Sequence, residues 1–87
     1  MPVSAAGISR NELLHQARSR AGLSRQDLAD MANDTLTSRF RLTADDVAKI
    51  ERGIVVWPNK PRRDALRNVL AAATDAEIGF FRARPRS

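Results

Sequence analysis

The chain has 87 residues, a formal net charge of +5 at neutral pH and 43% hydrophobic residues, which allows one domain with one small core. It has no cysteine and one histidine, which excludes a disulfide framework, a thiolate metal site and a histidine-rich metal cluster. No apolar run approaches the ~20 residues that a membrane-spanning helix needs. The positive charge is typical of a protein with a polyanionic partner, although the arginines of residues 82–87 supply much of it.

The chain divides into a long middle part and two short ends. Residues 1–8 lack the basic and apolar regions of a secretory signal, so we interpret them as a flexible lead and expect a cytoplasmic protein. Residues 9–81 form the predicted domain, and residues 82–87 form a basic, solvated tail. Tyrosine is absent and β-branched residues are few, so we expect an all-α fold rather than a sheet.

Four pairs of residues have the spacing of a capping box, in which two side chains at a helix start accept from each other's backbone amides. The pairs are Ser9 with Glu12, Ser24 with Asp27, Thr43 with Asp46, and Thr74 with Glu77. Together with apolar periodicity they predict five helices around one core, over residues 10–21, 25 onwards, 43–52, 61–73 and 75–81. The second helix either continues towards Thr37 or breaks at Asn33.

Residues 42–53 carry both the start and the stop signal of a short helix. Thr43 is a good N-cap, and Gly53 can adopt the left-handed conformation that ends a helix. Val47 and Ile50 are expected to face the core. The residues expected to face outward are Asp45, Ala48, Lys49 and Arg52. A helix this short is not stable alone in water, so we interpret it as a helix held by others to present its polar face to DNA.

Three separated blocks of the sequence resemble the XRE/Cro/phage-repressor helix-turn-helix family. The blocks are residues 17–24 with 27–29, residues 47–53, and residues 57–58 with 65–70 and 73–80. The last block is similar to a group of transcriptional regulators common in actinobacteria. The resemblance implies a lambda-repressor-like helix-turn-helix bundle in which helix 43–52 is the recognition helix and enters the major groove of double-stranded DNA.

The resemblance also implies roles for particular residues. Arg18 and Glu51 match a pair that forms a buried salt bridge between the first and third helices; the alternative is two solvated charges. Ala44 and Lys49 match positions that meet base edges, as does Asp45. The candidate DNA-binding residues are Arg25, Arg39, Arg41, Thr43, Ala44, Asp45, Lys49, Arg52, Lys60 and Arg62.

The turn between the two motif helices is longer here than the family usually has. Residues 33–41 are therefore an insertion that either lengthens the second helix or forms an arm beside the recognition helix. Arg39 and Arg41 in this extended turn are candidates for a phosphate or minor-groove contact, with solvated loop charges as the alternative. Lys60 and Arg62, beside the linker that follows Gly53, are candidates for phosphate contacts.

Four other residues that could contact a ligand are expected to have no role in binding. We expect Trp57 to pack against the core beneath the linker, and His15 to be an ordinary surface residue. Arg63 and Arg67 share a helix face that is expected to be solvated.

The functional alternatives belong to different classes. The first is a sequence-specific DNA-binding domain of a bacterial regulator, acting at the nucleoid. The second is a protein-interaction or antitoxin-like module with little DNA affinity, which the adjacent Asp45 and Asp46 favour. We expect no enzyme, cofactor or metal site, because the sequence has neither a nucleophile-histidine set nor a glycine-rich phosphate loop.

Ile78, Phe80 and Phe81 form an apolar group near the C-terminal end. Such a group is typical of an interface. It predicts either a homodimer that binds an inverted repeat or a junction with a further C-terminal domain. The alternative is that these side chains close the small core.

Overall fold

A computed structural model of the chain describes residues 10–81. Those residues form four α-helices and two short 3-10 helices, with no strand among them. The α-helices are α1 (Glu12–Arg20), α2 (Arg25–Asn33), α3 (Ala44–Glu51) and α4 (Lys60–Leu70), and the 3-10 helices are Ser38–Phe40 and Asp75–Ile78. The predicted all-α class is therefore confirmed. The predicted lead of residues 1–8 and tail of residues 82–87 lie outside the described residues.

Two of the predicted capping boxes start α2 and α3. The Ser24 hydroxyl accepts from the Asp27 amide at 3.0 Å, and the Asp27 carboxylate accepts from the Ser24 amide at 3.1 Å. Thr43 and Asp46 make the same reciprocal bonds, at 3.1 and 2.9 Å. Each box satisfies two amides that the first turn of a helix would leave without partners.

The start of α1 was predicted wrongly, because its cap is Asn11 rather than Ser9. The Asn11 side chain accepts from the Leu14 amide at 3.0 Å and donates to the Ile78 carbonyl at 3.0 Å. Its backbone amide donates to the Glu51 carbonyl at 2.8 Å. Asn11 therefore caps α1 while joining it to the end of α3 and to the second 3-10 helix.

One predicted helix ends at one of its two predicted positions, and another is shorter than predicted. The second predicted helix breaks at Asn33, the earlier of its two predicted ends. The fifth, predicted over 75–81, is only a four-residue 3-10 helix that ends at Gly79, whose φ is +79°. A Cβ atom at Gly79 would lie 1.9 Å from the Asn11 side-chain oxygen, so a glycine is needed both for the turn and for the close approach.

The core lies between α2, α3 and α4, and α1 and the second 3-10 helix close it. Its largest fully buried side chains are Leu14, Leu28, Leu42, Val47, Leu66, Ile78 and Phe80. The prediction that Ala48 faces outward is wrong, since this small side chain is buried on the inner face of α3. Within residues 10–81, no helix has both the length and the apolar character needed to cross a membrane.

The burial of Ile78 and Phe80 decides between two predictions for the C-terminal apolar group. Each is only 2% exposed, so both close the core and cannot form a surface between two copies of the domain. Phe81 is 56% exposed and is the one member of the group that stays on the surface. Periodicity could not separate these roles, because core and interface positions both need apolar side chains.

The cap of α3 can be tested with a matched pair of threonines. Thr43→Ala is expected to lower the free energy of unfolding by about 1 kcal/mol, because the Asp46 amide loses its acceptor. Thr37→Ala is the control, since Thr37 precedes the first 3-10 helix without a side-chain capping bond. Thermal or urea denaturation followed by circular dichroism measures both. An equal loss in the two variants would contradict the role of the Thr43 cap.

Candidate functional site

A buried carboxylate joins three helices at the end of α3. Glu51 is 4% exposed. Arg18 of α1 donates through Nε to its Oε2 at 2.5 Å and through Nη2 to its Oε1 at 3.1 Å. Arg25 of α2 donates through Nε and Nη2 to the same Oε1, at 3.2 and 3.1 Å. The structure therefore contains the Arg18–Glu51 pair and adds a second arginine to it.

His15 belongs to this network, which sequence reasoning missed. Its Nδ1 atom lies 3.3 Å from Glu51 Oε1 and 3.1 Å from Arg18 Nη2. His15 and Arg18 are three residues apart on α1 and so share a helix face, which is the only signal in the sequence that places His15 near the pair. The interpretation of His15 as an ordinary surface residue is wrong, although its side chain is half exposed.

The network sets the charge state of Glu51. Burial alone would raise the pKa of this carboxyl group, but the hydrogen bonds from Arg18, His15 and Arg25 outweigh burial and hold its pKa below the ordinary value. Glu51 also raises the pKa of the Arg18 guanidinium. The folded domain therefore keeps an ionised carboxylate and its guanidinium partners at neutral pH.

The outer face of α3 is polar and internally paired. Asp45, Lys49 and Arg52 are exposed, and Ala44 is half-buried at the first turn. Lys49 Nζ lies 3.2 Å from a carboxylate oxygen of Asp45, one helical turn away. This pair gives Asp45 a partner that the sequence did not assign to it. The hydroxyl of Thr43 is occupied by its capping bonds with Asp46.

The insertion forms an ordered connection, which we name the α2–α3 loop (residues 34–43). Asn33 donates to the Leu42 carbonyl at 2.8 Å and accepts from the Leu42 amide at 2.7 Å. Arg62 of α4 donates to the carbonyls of Phe40 and Arg41, at 2.8 and 3.0 Å. Its guanidinium therefore holds the loop, although Arg62 was predicted to contact a phosphate.

Two arginines of the α2–α3 loop remain on the surface. Arg39 and Arg41 are both exposed, and the Arg39 guanidinium lies 5.5 Å from the centre of the Phe40 ring. Arg62 of α4 contacts the same loop, and Lys60, two residues before it, is exposed and pairs with Asp64 at 2.8 Å. We name the four basic residues Arg39, Arg41, Lys60 and Arg62 the α3-start cluster.

A second basic group surrounds a small cleft at the opposite end of α3. The cleft has a volume of about 120 Å³, and its lining includes Arg10, Arg25 and Arg52 beside His15 and Glu51. We name the three arginines the α3-end cluster. Arg10 is a member that the sequence analysis did not identify, because no helical periodicity or motif marks it.

The other basic residues of α4 hold the C-terminal part of the fold. Arg63 donates to Asp75 at 2.7 Å, and its guanidinium lies 3.8 Å from the centre of the Trp57 ring. Arg67 donates to the Ala73 carbonyl at 2.9 Å and lies 3.4 Å from Asp75. The prediction of a solvated basic face is therefore wrong. Trp57 supports Arg63 at the surface and is not buried in the core as predicted.

An apolar groove of about 540 Å³ lies between the start of α1 and the linker that follows α3. Leu13, Val56 and Phe81 line it and are all exposed. Phe81 is thus the only member of the predicted interface group that contributes to a surface. Arg10 and Glu12 also line the groove.

Comparisons of the chain with models of protein families, with curated proteins and with solved structures found no match. The family resemblance therefore stays a prediction. Among residues 10–81, no group of three or more His, Asp or Glu side chains is placed to hold a metal ion.

Removing the Glu51 carboxylate tests the central network. Glu51→Ala is expected to lower the free energy of unfolding by roughly 3–5 kcal/mol, or to unfold the domain, because Arg18 stays largely buried without its partner. Glu12→Ala is the control, since Glu12 is exposed in the first turn of α1 and should cost less than about 1 kcal/mol. Denaturation curves measure both variants. A melting temperature for Glu51→Ala close to that of the wild type would contradict the network.

The lowered pKa of Glu51 predicts a loss of stability in acid. The ionised carboxylate stabilises the fold fully above the ordinary glutamate pKa of about 4.3, and this contribution is lost as the pH falls through the lower pKa of the folded state. The free energy of unfolding should therefore fall more steeply below about pH 4.3 for the wild type than for Glu51→Gln. Urea denaturation at a series of pH values measures both slopes, and parallel curves would show that Glu51 is not responsible.

Proposed function

We propose that the chain is a sequence-specific DNA-binding domain of a bacterial transcriptional regulator. In this proposal α2 and α3 form a helix-turn-helix unit of the XRE/Cro type, and α3 is the recognition helix in the major groove. The observation that carries the proposal is the exposed polar face of α3 between the α3-start cluster and the α3-end cluster. The resemblance to the XRE/Cro family supports the proposal independently, because it depends on three separated blocks of the sequence and not on the geometry of α3.

The dimensions of α3 suit this arrangement. The helix has 8 residues and is therefore about 12 Å long, close to the ~12 Å width of the major groove of B-DNA. Exposed cations lie at both ends of such a helix, with Lys60 at one end and Arg10 and Arg52 at the other. They can neutralise phosphates on the walls of the groove, while Arg62 holds the α2–α3 loop. The exposed side chains between them then meet the base edges.

The exposed residues of α3 offer complementary chemistry to bases. Lys49 can donate to guanine O6 and N7, and Asp45 can accept from cytosine N4. Ala44 offers a methyl group, which suits contact with a thymine methyl. Because Lys49 and Asp45 are paired in the free domain, binding a base edge replaces an exposed ion pair that contributes little to stability.

Arg25 can contact a phosphate without leaving the Glu51 carboxylate unpaired. Arg18 already donates to both oxygens of that carboxylate. Arg25 donates through Nε and Nη2 to Oε1 only. The Arg25 side chain is also 39% exposed. Its transfer to a phosphate therefore leaves the buried ion pair of Glu51 in place.

The proposal includes a homodimer on an inverted repeat, with half-sites about 10 base pairs apart. Ile78 and Phe80 cannot form the contact between the two copies, because both side chains are buried. Phe81 remains a candidate for this contact.

A second function, a protein-interaction module with little DNA affinity, is favoured by the charges of α3. Asp45 neutralises Lys49, and Asp46 adds a carboxylate at the helix start, where a phosphate would otherwise bind. The exposed face of α3 would then contact a protein partner. Affinity for duplex DNA separates the two functions.

In-vitro selection from a random duplex library tests the proposal. We expect an enriched inverted repeat, whose affinity falls with salt because Lys and Arg replace counterions on the phosphates. Arg52→Ala should weaken binding and reduce the salt slope by about 0.9 for each protomer on the duplex, which is about 1.8 for a dimer. Arg20→Ala is the matched control, since Arg20 is exposed at the end of α1 and belongs to neither cluster.

Two results would contradict the DNA-binding proposal. If no duplex is enriched and none binds near physiological salt, the protein-interaction function is the better explanation of α3. If Arg52→Ala and Arg20→Ala weaken binding equally, the affinity depends on net charge and not on the α3-end cluster.

A further inference from the structure

The α2–α3 loop is fixed by hydrogen bonds from α2 and α4, which a connection exposed only to solvent would not have. Asn33 bonds to both backbone groups of Leu42, and Arg62 bonds to two consecutive carbonyls of the loop. Leu42 is buried, and Leu36 packs against the core. Ordering a loop costs conformational entropy, and these bonds from α2 and α4 offset that cost. The loop therefore has a defined shape before any partner binds.

The ordered backbone presents two arginines to solvent. Arg39 and Arg41 are exposed, while the Phe40 ring between them lies beside the Arg39 guanidinium. The carbonyls that Arg62 holds belong to Phe40 and Arg41 themselves. The bonds from Arg62 therefore fix the part of the loop from which Arg39 and Arg41 project.

The position of these arginines follows from the chain path. Arg41 precedes the α3 cap, Thr43, by two residues, so their Cα atoms are at most about 7 Å apart. If the start of α3 enters the major groove, Arg41 lies near the phosphate wall of that groove. The next feature along the duplex beyond this wall is the minor groove.

We propose that the α2–α3 loop is a rigid arm that inserts Arg39 and Arg41 into the minor groove flanking the half-site bound by α3. This inference rests on the proposed function and adds a second contact to it. The ligand is an A·T-rich flank, because such sequences have a narrow minor groove with an enhanced negative potential. Arginine suits this groove, since its guanidinium is less strongly hydrated than an ammonium group. Asn33 and Arg62 are positioning residues of the arm.

The test compares three duplexes that share the selected half-sites and differ only in the flanks. One has A·T flanks, one has G·C flanks, and one ends at the half-sites. The wild type is expected to bind the A·T-flanked duplex about tenfold more tightly than the other two, which corresponds to about 1.4 kcal/mol. Fluorescence anisotropy at fixed salt measures all three affinities.

Charge-conserving and uncharged variants identify the cause of this preference. Arg39→Lys and Arg41→Lys should lose most of the tenfold preference while keeping their charge. Asn33→Ala should lose it without any change of charge, because the arm loses its bonds to Leu42. Arg20→Lys is the control, and it should leave all three affinities unchanged because Arg20 belongs to neither cluster. A circular dichroism melt verifies that each variant is folded.

The outcomes separate the arm from the proposed function. Equal wild-type affinity for A·T and G·C flanks, with tight binding to the half-sites, overturns the arm and leaves the proposed function standing. A full preference in both lysine variants also overturns it, since a phosphate contact would accept either cation. If the wild type binds no duplex at all, both the arm and the proposed function are wrong.

Discussion

Glu51 is the most deeply buried charged residue of residues 10–81. A desolvated carboxylate is tolerated only when donors surround it, and here the donors come from different helices. Arg18 and Arg25 can reach it together only if α1 and α2 meet the end of α3 in one orientation. The backbone of Glu51 adds to this constraint, because its carbonyl accepts from the amide of Asn11. The placement of the polar face of α3 therefore depends on one buried charge and its partners.

The rest of the small domain uses another kind of bond, from a polar side chain to a backbone carbonyl outside its own helix. Arg62 holds two carbonyls of the α2–α3 loop, Arg67 holds the carbonyl of Ala73, and Asn11 holds that of Ile78. A chain of this length buries too little apolar surface to order its connections by packing alone. These bonds therefore order the segments between the helices, and they occupy basic side chains that would otherwise be available to an anion.

The fold could be predicted where the determining residues are close in sequence. The boxes at Ser24 and Thr43 are defined by residues three positions apart, so the starts of α2 and α3 could be predicted. The bonds of Asn11 to Ile78, of His15 to Glu51 and of Arg62 to the α2–α3 loop could not be predicted in this way, because they join residues far apart in sequence. The Arg18–Glu51 pair came from a resemblance to a family and not from periodicity. For the candidate site, the sequence identified Asp45, Lys49 and Arg52 as exposed on α3. It missed Arg10, and it predicted a phosphate contact for Arg62, which holds the α2–α3 loop.

The contact between Gly79 and Asn11 links the two ends of the described chain. A methyl group at Gly79 would displace the side chain that caps α1, and it would also occupy a left-handed conformation that costs other residues roughly 1–2 kcal/mol. A substitution at Gly79 thus disturbs the first turn of α1. Among natural variants of this sequence, an asparagine at position 11 should occur with a glycine at position 79. A glycine at 79 without the asparagine marks a chain that caps α1 with another residue.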